Sequence, residues 1–346
     1  MSNHKHKNES APPRDADKTI ESHPSIDALP DWNGEATACR SFTATVDRRL
    51  FLKSAALLGL AAACPSALQK PATAGAAESS DDEARFIKEA RYYGKLPHKK
   101  IRCDLCPREC VIDDMERGYC GVRENRGGTY YTMVHSRPCT YHADPVEKKP
   151  LFHFHPGTLA FSIATAGCNV NCKFCQNWEI SQVRPEQIRS IYMPPKDVAA
   201  LAKQHKCRSI AYTYSEPIIF YEYMLDAAKA GHDAGLFSAA ITGGYIKQEP
   251  LQEMCAHMDA IKVDVKSYSE EYYRDVVNGE LRPVLDGLVT MRNKGVWLEI
   301  VYLVVPALND SDAELTGLAR WVRSNLGNDV PIHFTRFHPQ YLMKNL

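Results

Sequence analysis

The chain has 346 residues, with 42 Lys+Arg against 42 Asp+Glu. That balance excludes a bulk basic surface for nucleic acid or an anionic membrane, and the length suits one catalytic domain of ~200–250 residues with appendages. Its 12 cysteines are too many for a metal-free cytosolic protein and too unevenly spaced for a disulfide scaffold. Metal or cluster chemistry therefore leads.

In chain order, residues 1–47 are polar and aperiodic and read as disordered. Asp47-Arg48-Arg49-Leu50-Phe51-Leu52-Lys53 then precedes an apolar run over 54–63 and Ala-x-Ala sites near Ala72 and Ala74, the layout of a twin-arginine export signal. The run is far short of the ~20 residues that span a bilayer, so residues 1–77 are expected to be a leader, with no stable membrane span. Residues 78–153 read as a helical, then cysteine-rich module. Beyond 154, short β-branched runs alternate with longer amphipathic stretches, which predicts repeated βα units around a parallel sheet. Strands are expected near 159–165, 208–214, 236–242, 259–265, 296–304 and 331–337. Helices are expected near 196–205, 217–232, 248–257, 270–276, 281–294 and 312–325. The fold class is α/β, with a sixth strand whose following helix is missing because the chain stops at Leu346.

The sharpest motif is Cys168-x3-Cys172-x2-Cys175, directly after the first strand of the βα series. Three thiolates at these offsets can wrap one iron-sulfur cluster and leave one iron without a protein ligand, whereas such clusters usually take four cysteines. A zinc site short of one ligand, or structural thiols, are the alternatives. A loop at the C-terminal rim of a barrel sheet is where α/β barrels place chemistry.

Cys168-Asn169-Val170-Asn171-Cys172-Lys173-Phe174-Cys175 resembles the signature of the radical S-adenosylmethionine (SAM) superfamily. With Cys103-x2-Cys106-Pro107, Gly118-x-Cys120-x-Val122-Arg123, the stretch from Asp144 to Leu151, Tyr212-Thr213-Tyr214-Ser215-Glu216-Pro217 and Val263-Asp264-Val265-Lys266, the chain is similar to radical SAM enzymes of the AmmeMemoRadiSam system. Those enzymes are relatives of the pyruvate formate-lyase activating enzymes. The resemblance implies a partial (β/α)6 barrel, a 4Fe-4S cluster on Cys168, Cys172 and Cys175, and SAM on the open iron. Cleavage of SAM would yield a 5′-deoxyadenosyl radical that takes hydrogen from a small-molecule or protein substrate. It also implies a low-potential donor such as ferredoxin or flavodoxin, and partners among the other proteins of that system. A glycyl-radical activase is the near alternative, and an iron-sulfur electron carrier without SAM chemistry the distant one.

Several residues are expected to handle SAM or substrate. Tyr214, Ser215 and Glu216 stand where the superfamily has Gly-Gly-Glu, whose acid takes the methionine amino group; Glu216 is alternatively a helix cap. Gly243 and Gly244 end the third strand, either for close backbone approach to a ligand or as a tight turn. On the fourth strand, alternation sends Lys262, Asp264 and Lys266 to one face. Inside a barrel such charges need pairing or a polar cavity, and the resemblance assigns Asp264 and Lys266 to SAM or substrate. Glu299 is expected to point inward. Arg336 and His338 share a face of the last strand, Arg336 to hold an anion and His338 to move a proton or to be structural.

Cys103, Cys106, Cys110 and Cys120 form C-x2-C-x3-C-x9-C, enough for a tetrahedral thiolate site. Zinc ranks first, ahead of an auxiliary cluster or disulfides, with Cys139, His135 and His142 as substitute ligands. SAM and its reductants are cytoplasmic, which conflicts with the export signal and leaves the compartment open.

Overall fold

The computed structural model describes residues 83–345; the expected leader over 1–77, with its paired arginines, lies outside them. Seven strands form the main sheet: β7 (Thr140–Pro145), β8 (Leu159–Ala164), β9 (Ser209–Tyr212), β10 (Phe237–Thr242), β11 (Ala260–Asp264), β12 (Trp297–Val304) and β13 (Ile332–Arg336). They lie side by side in chain order. β8 to β13 are all parallel, and only β7 runs antiparallel, against β8. The six parallel strands are those expected from the sequence. The intervening helices are α1 (Pro195–Gln204), α2 (Tyr221–Asp233), α3 (Gln248–His257), α4 (Leu281–Lys294) and α5 (Asp312–Asn325).

The helix ends follow local chemistry. Proline opens α1 where no backbone donor is needed, and Ser311 caps α5 by accepting from Glu314 N. Gly295 ends α4 at φ 74°, a left-handed conformation that glycine adopts freely. Expected helix 270–276 forms instead as a short α turn (Glu270–Tyr272) continued by a π turn (Tyr273–Val277). Its carbonyls at Val276 and Val277 accept from Lys173 N and Asn171 N of the cysteine loop.

Two expectations need correction. A module boundary at 153 does not match the sheet, which begins at Thr140. β7 is a polar edge strand ending in Asp144-Pro145, partly to fully exposed along its length, so it carries no apolar alternation to announce it. Nor does the cysteine-rich stretch have a core of its own. Its small strands β1 (Lys88–Glu89), β2 (Tyr93–Lys95), β3 (Ile101–Cys103), β4 (Val111–Ile112), β5 (Arg123–Arg126) and β6 (Thr129–Thr132) make two three-stranded sheets. Ile101, Leu105, Ile112, Val122 and Tyr130 from this region join the same buried cluster as Phe161, Ile210 and Val263 of the main sheet. A small module lacking apolar mass shares its neighbour's core.

The N-terminal end of the main sheet is filled differently. Ala160, Ala211, Ala239 and Ala260 leave space that Val146, Leu151 and Phe154, from the segment preceding β8, occupy. That plug confines open volume to the other end, where residues from β8 through β13 and their loops line one cavity of about 470 Å3. After β13 the chain folds back onto the cysteine loop: Leu342 N donates to Lys173 O, and Tyr341 stacks on Trp178 at 5.5 Å between ring centres.

Candidate active site

The cysteine loop leaves the C-terminal end of β8 through Gly167, at φ +98°. A side-chain carbon there would fall 2.7 Å from Cys120 O and from Val122 Cγ1, so only glycine passes. The loop is pinned on several sides. Asn169 Nδ2 donates to Tyr245 O at 2.8 Å, Gln182 Nε2 donates to Val170 O at 3.2 Å, and Arg108 donates to Asn169 O. Cys168, Cys172 and Cys175 are free thiols and all three line the cavity. Burial pushes all three up, the Cys172 thiol to about 12, against the lowering pull of Lys266. Thiols so placed stay protonated at neutral pH unless a metal displaces the protons.

Lys266 sits opposite them, with Nζ 5.7 Å from the Phe174 ring centre and 3.7 Å from Asp264 Oδ2. Burial alone would lower its pKa, but Cys172, Asp264, Tyr273 and Cys175 raise it well above the ordinary lysine value. Lys266 is therefore a fixed cation facing an anion-forming group. Asp264 is also bonded by Lys262. Burial opposes its ionisation, yet the two lysines hold it below the usual carboxylate range. The ladder read from alternation on β11 is thus an internal ion-paired row on the cavity wall.

Glu216 is 4% exposed and reaches the same wall. Oε1 accepts from Thr242 Oγ1 at 2.6 Å and Ile218 N at 3.2 Å, and Oε2 accepts from Gly243 N at 2.8 Å. Burial raises its pKa against those hydrogen bonds and Lys266. Of the two sequence readings of this acid, the structure shows the cap, on the turn Pro217–Phe220, and also puts the residue on the cavity wall. With three acceptor positions used internally, about one is left for a ligand donor. Ser215 Oγ, also on the wall, is buried with no hydrogen-bond partner. A buried hydroxyl without a partner, on a residue of the cavity wall, is a group that a ligand could satisfy.

Tyr214 stands where glycine is usual, yet keeps a left-handed φ of +63°. A non-glycine residue there is strained by order 1–3 kcal/mol and persists only if its surroundings over-determine it. They do. Tyr214 OH donates to Asp144 Oδ2 at 2.6 Å, Lys149 Nζ donates to both Asp144 Oδ2 and Tyr214 OH at 2.8 and 2.9 Å, and Asn177 Nδ2 donates to Tyr214 O. Lys149 Nζ also lies 4.2 Å from the Tyr214 ring centre.

The other expected residues divide. Gly243 lines the cavity, whereas Gly244 (φ +71°) is a packing glycine: a side-chain carbon would fall 3.0 Å from Val263 Cγ1. Arg336 lines the cavity, but His338 is not brought there. Strand pairing ends at Arg336↔Val304, so period-two alternation no longer governs the chain; Phe337 turns inward and His338 is exposed. Glu299 points inside the sheet as expected, but at the end opposite the cavity mouth. Sequence reasoning assigned no role to Lys148 and Lys149, which lie in the segment that plugs the N-terminal end of the sheet and also line the cavity; the charge density of Asp144 to Lys149 was the available signal.

Cys103, Cys106, Cys110 and Cys120 surround a separate void of about 20 Å3, with Arg123 against it. Burial pushes the Cys106 thiol to about 12, with the other three thiols adding to the rise. All ten described cysteines are free thiols. The proposed substitute ligands are committed elsewhere. Cys139 Sγ donates to Ala164 O, His135 Nε2 lies 2.8 Å from Asp226, and His142 Nε2 lies 3.0 Å from Thr140 Oγ1.

The Radical SAM superfamily model matches residues 162–319, the stretch that carries the cysteine loop and the walls of the cavity. The chain belongs to the radical SAM superfamily. It is a radical SAM enzyme, and membership brings a 4Fe-4S cluster and SAM. An uncharacterized protein of Methanocaldococcus jannaschii is 40% identical over 260 residues, covering 75% of this chain and 77% of that one. The pyruvate formate-lyase-activating enzyme of Clostridium pasteurianum is 22% identical over 178 residues, 50% of this chain and 72% of that one. Among solved structures, Streptococcus suis SuiB bound to S-adenosylmethionine has a TM-score of 0.42 and 13% identity, covering 54% of this chain and 44% of that one. Among the described residues, no helix is long and apolar enough to cross a membrane.

Proposed function

We propose that Cys168, Cys172 and Cys175 ligate three irons of the 4Fe-4S cluster, and that SAM occupies the cavity wall formed by Ser215, Glu216, Gly243 and Asp264. Three thiols of one loop opening into a cavity that holds a fixed cation and an unpaired buried hydroxyl carry this reading. When bound, the cluster and SAM supply a 5′-deoxyadenosyl radical that takes a hydrogen atom from substrate. The chain's own residues bind and orient. Lys266 offsets the negative charge of the thiolates, and Asp264, held ionised by two lysines, offers a fixed anion to SAM or substrate. The Glu216 acceptor position left free suits an ammonium. Lys148, Lys149 and Arg336, all lining the cavity, favour a polar substrate with anionic groups. His338 is a candidate proton carrier only for a substrate reaching beyond the rim.

Anaerobic reconstitution with iron, sulfide, SAM and reductant tests the reading. Wild type should release 5′-deoxyadenosine and Cys172→Ala should not; equal amounts from both would overturn it.

A glycyl-radical activase is the second reading, favoured by similarity to a pyruvate formate-lyase-activating enzyme. It requires a glycyl-radical EPR signal on a second polypeptide. We infer further that ferredoxin or flavodoxin is the electron donor, that other AmmeMemoRadiSam-system proteins are the partners, and that Cys103, Cys106, Cys110 and Cys120 hold zinc. The signal-like residues Arg48 and Arg49 support export by the twin-arginine route, which fractionation of an Arg48→Lys/Arg49→Lys variant checks.

A further inference from the structure

At the N-terminal end of the main sheet, opposite the cysteine loop, Glu299 of β12 is wholly buried and, among the described residues, paired with no lysine or arginine. Its partners are neutral donors and two imidazoles. Oε1 accepts from His153 N and Trp297 Nε1, each at 3.0 Å, and Oε2 accepts from Phe152 N at 3.0 Å. His333 Nε2, from β13, lies 2.7 Å from Oε2, and His153 Nδ1, from the segment preceding β8, lies 3.3 Å from the same oxygen. The two imidazoles stack, with ring centres 5.6 Å apart and planes 19° from parallel. The ligand atoms of His153, Glu299 and His333 all lie within 4.8 Å of one another, the one such group of His, Cys, Asp or Glu donors among the described residues.

We propose that His153, Glu299 and His333 form a divalent-cation site, with zinc the best-matched ion and one coordination position open to solvent. Two neutral imidazoles and a carboxylate are a donor set that zinc takes readily, and three protein ligands leave the fourth tetrahedral place for water or a small anion. The buried carboxylate is held ionised by neutral donors and two imidazoles alone, and a cation would offset its charge more fully. Its outer bonds are already those of a metal ligand: His153 N, Phe152 N and Trp297 Nε1 fix the carboxylate while the two imidazole nitrogens converge on Oε2. The ion has a way in. The His153 side chain is 54% exposed, His333 is 17% and Glu299 is 0%, so the ligands step from solvent to core. Its arrival displaces the two imidazole contacts with Glu299 and leaves the backbone contacts in place. The site shares no residue with the radical chemistry and does not depend on that reading.

The test compares the full wild-type chain, before cluster reconstitution, with forms of it altered only at the proposed ligands, so that metal held by the cysteines is common to all and cancels in the difference. The wild-type-minus-variant difference on titration with Co(II) should show about one equivalent with d–d bands of an N/O site and no thiolate-to-metal charge-transfer band, displaced by Zn(II). His153→Ala should weaken binding at least tenfold; this ligand is half in solvent, so folding is least at stake. His333→Gln should abolish the bands, with circular dichroism and thermal melting checking the fold. Zn(II) should raise the melting temperature of wild type further than that of the His333→Gln form. Absence of N/O-type Co(II) binding, or unchanged affinity in a folded His153→Ala protein, would overturn the site and leave a purely hydrogen-bonded acid.

Discussion

The two cysteine groups use the same side chain for opposite ends. Cys168, Cys172 and Cys175 stand on a cavity of about 470 Å3 with Lys266 facing them, whereas Cys103, Cys106, Cys110 and Cys120 close around a void of about 20 Å3. Arg123 serves the second group as Lys266 serves the first, but it is spent on Glu222, a pair only 1% exposed on either side. What separates them is access: the trio has room beside it for a ligand, while the other four have little. Buried thiols in both groups are pushed up in pKa, so any metal that either group takes must displace protons and binds more tightly as pH rises.

The largest expected effects separate the groups. Cys172→Ala should bring 5′-deoxyadenosine formation down to the uncatalysed background, measured by anaerobic chromatography. Cys106→Ser should act first on stability. A structural thiolate-metal site carries ~10 kcal/mol or more of binding energy that is also folding energy, so a strong chelator should lower the melting temperature of wild type markedly and that of Cys106→Ser little. If Cys106→Ser melts like wild type and responds equally to chelator, the closed group is not a metal site and the contrast fails.

Lys266→Met comes next. It removes the cation that pulls the Cys172 thiol downward, so iron loading of the cysteine loop should need a higher pH than in wild type. Reconstituted turnover should fall about 100-fold, the scale of losing one preorganised electrostatic contact. Iron incorporation against pH reads the first effect and 5′-deoxyadenosine rates read the second; a loading profile that does not move would put Lys266 outside the field of the cysteine loop.

How much of this was legible depended on the kind of signal. The parallel strands were readable because each is a short apolar run between amphipathic helices, and the trio at 168, 172 and 175 because its spacing is itself the chemistry. β7 was not readable, since a polar edge strand has no buried face. His338 misled because alternation was carried two residues past the last ladder pair at Arg336. His153 and His333 were silent because a metal-like group drawn from a loop and two strands has no spacing motif. Glu299 drew notice only as an acid among apolar neighbours.

Acid pH tests the charged network that anchors Tyr214 beneath the open group. Asp144 is held well below the ordinary carboxylate range: burial opposes ionisation, but Lys149, Tyr214 and Lys148 outweigh it. A depressed carboxylate contributes stability that is fully present above the unfolded value of about 4 and is lost as pH falls towards the folded one. Wild type should therefore lose stability below about pH 4 in part through this residue. Asp144→Asn should be less stable at neutral pH and show a shallower acid slope in urea titrations. Equal slopes would mean that Lys149 and Tyr214 find other partners.

The smallest effect is the most discriminating for Tyr214. Its phenol donates to Asp144 Oδ2 at 2.6 Å and accepts from Lys149 Nζ at 2.9 Å, while its backbone sits at φ +63° beside Ser215 on the wall. Tyr214→Phe keeps the ring under Lys149 and removes the hydroxyl, so about 1–2 kcal/mol of stability should go with the charge-assisted bond. If the hydroxyl is what forces the left-handed turn, the turn relaxes and the apparent affinity for SAM weakens along with stability. Tyr214→Gly loses the same bond and the ring, yet adopts the turn without strain. It should therefore be less stable than wild type while holding SAM better than Tyr214→Phe does. Reading affinity and stability together separates the side chain's anchoring from the backbone's geometry, and the reverse order of SAM affinities would show that the anchor, not the turn, shapes that wall.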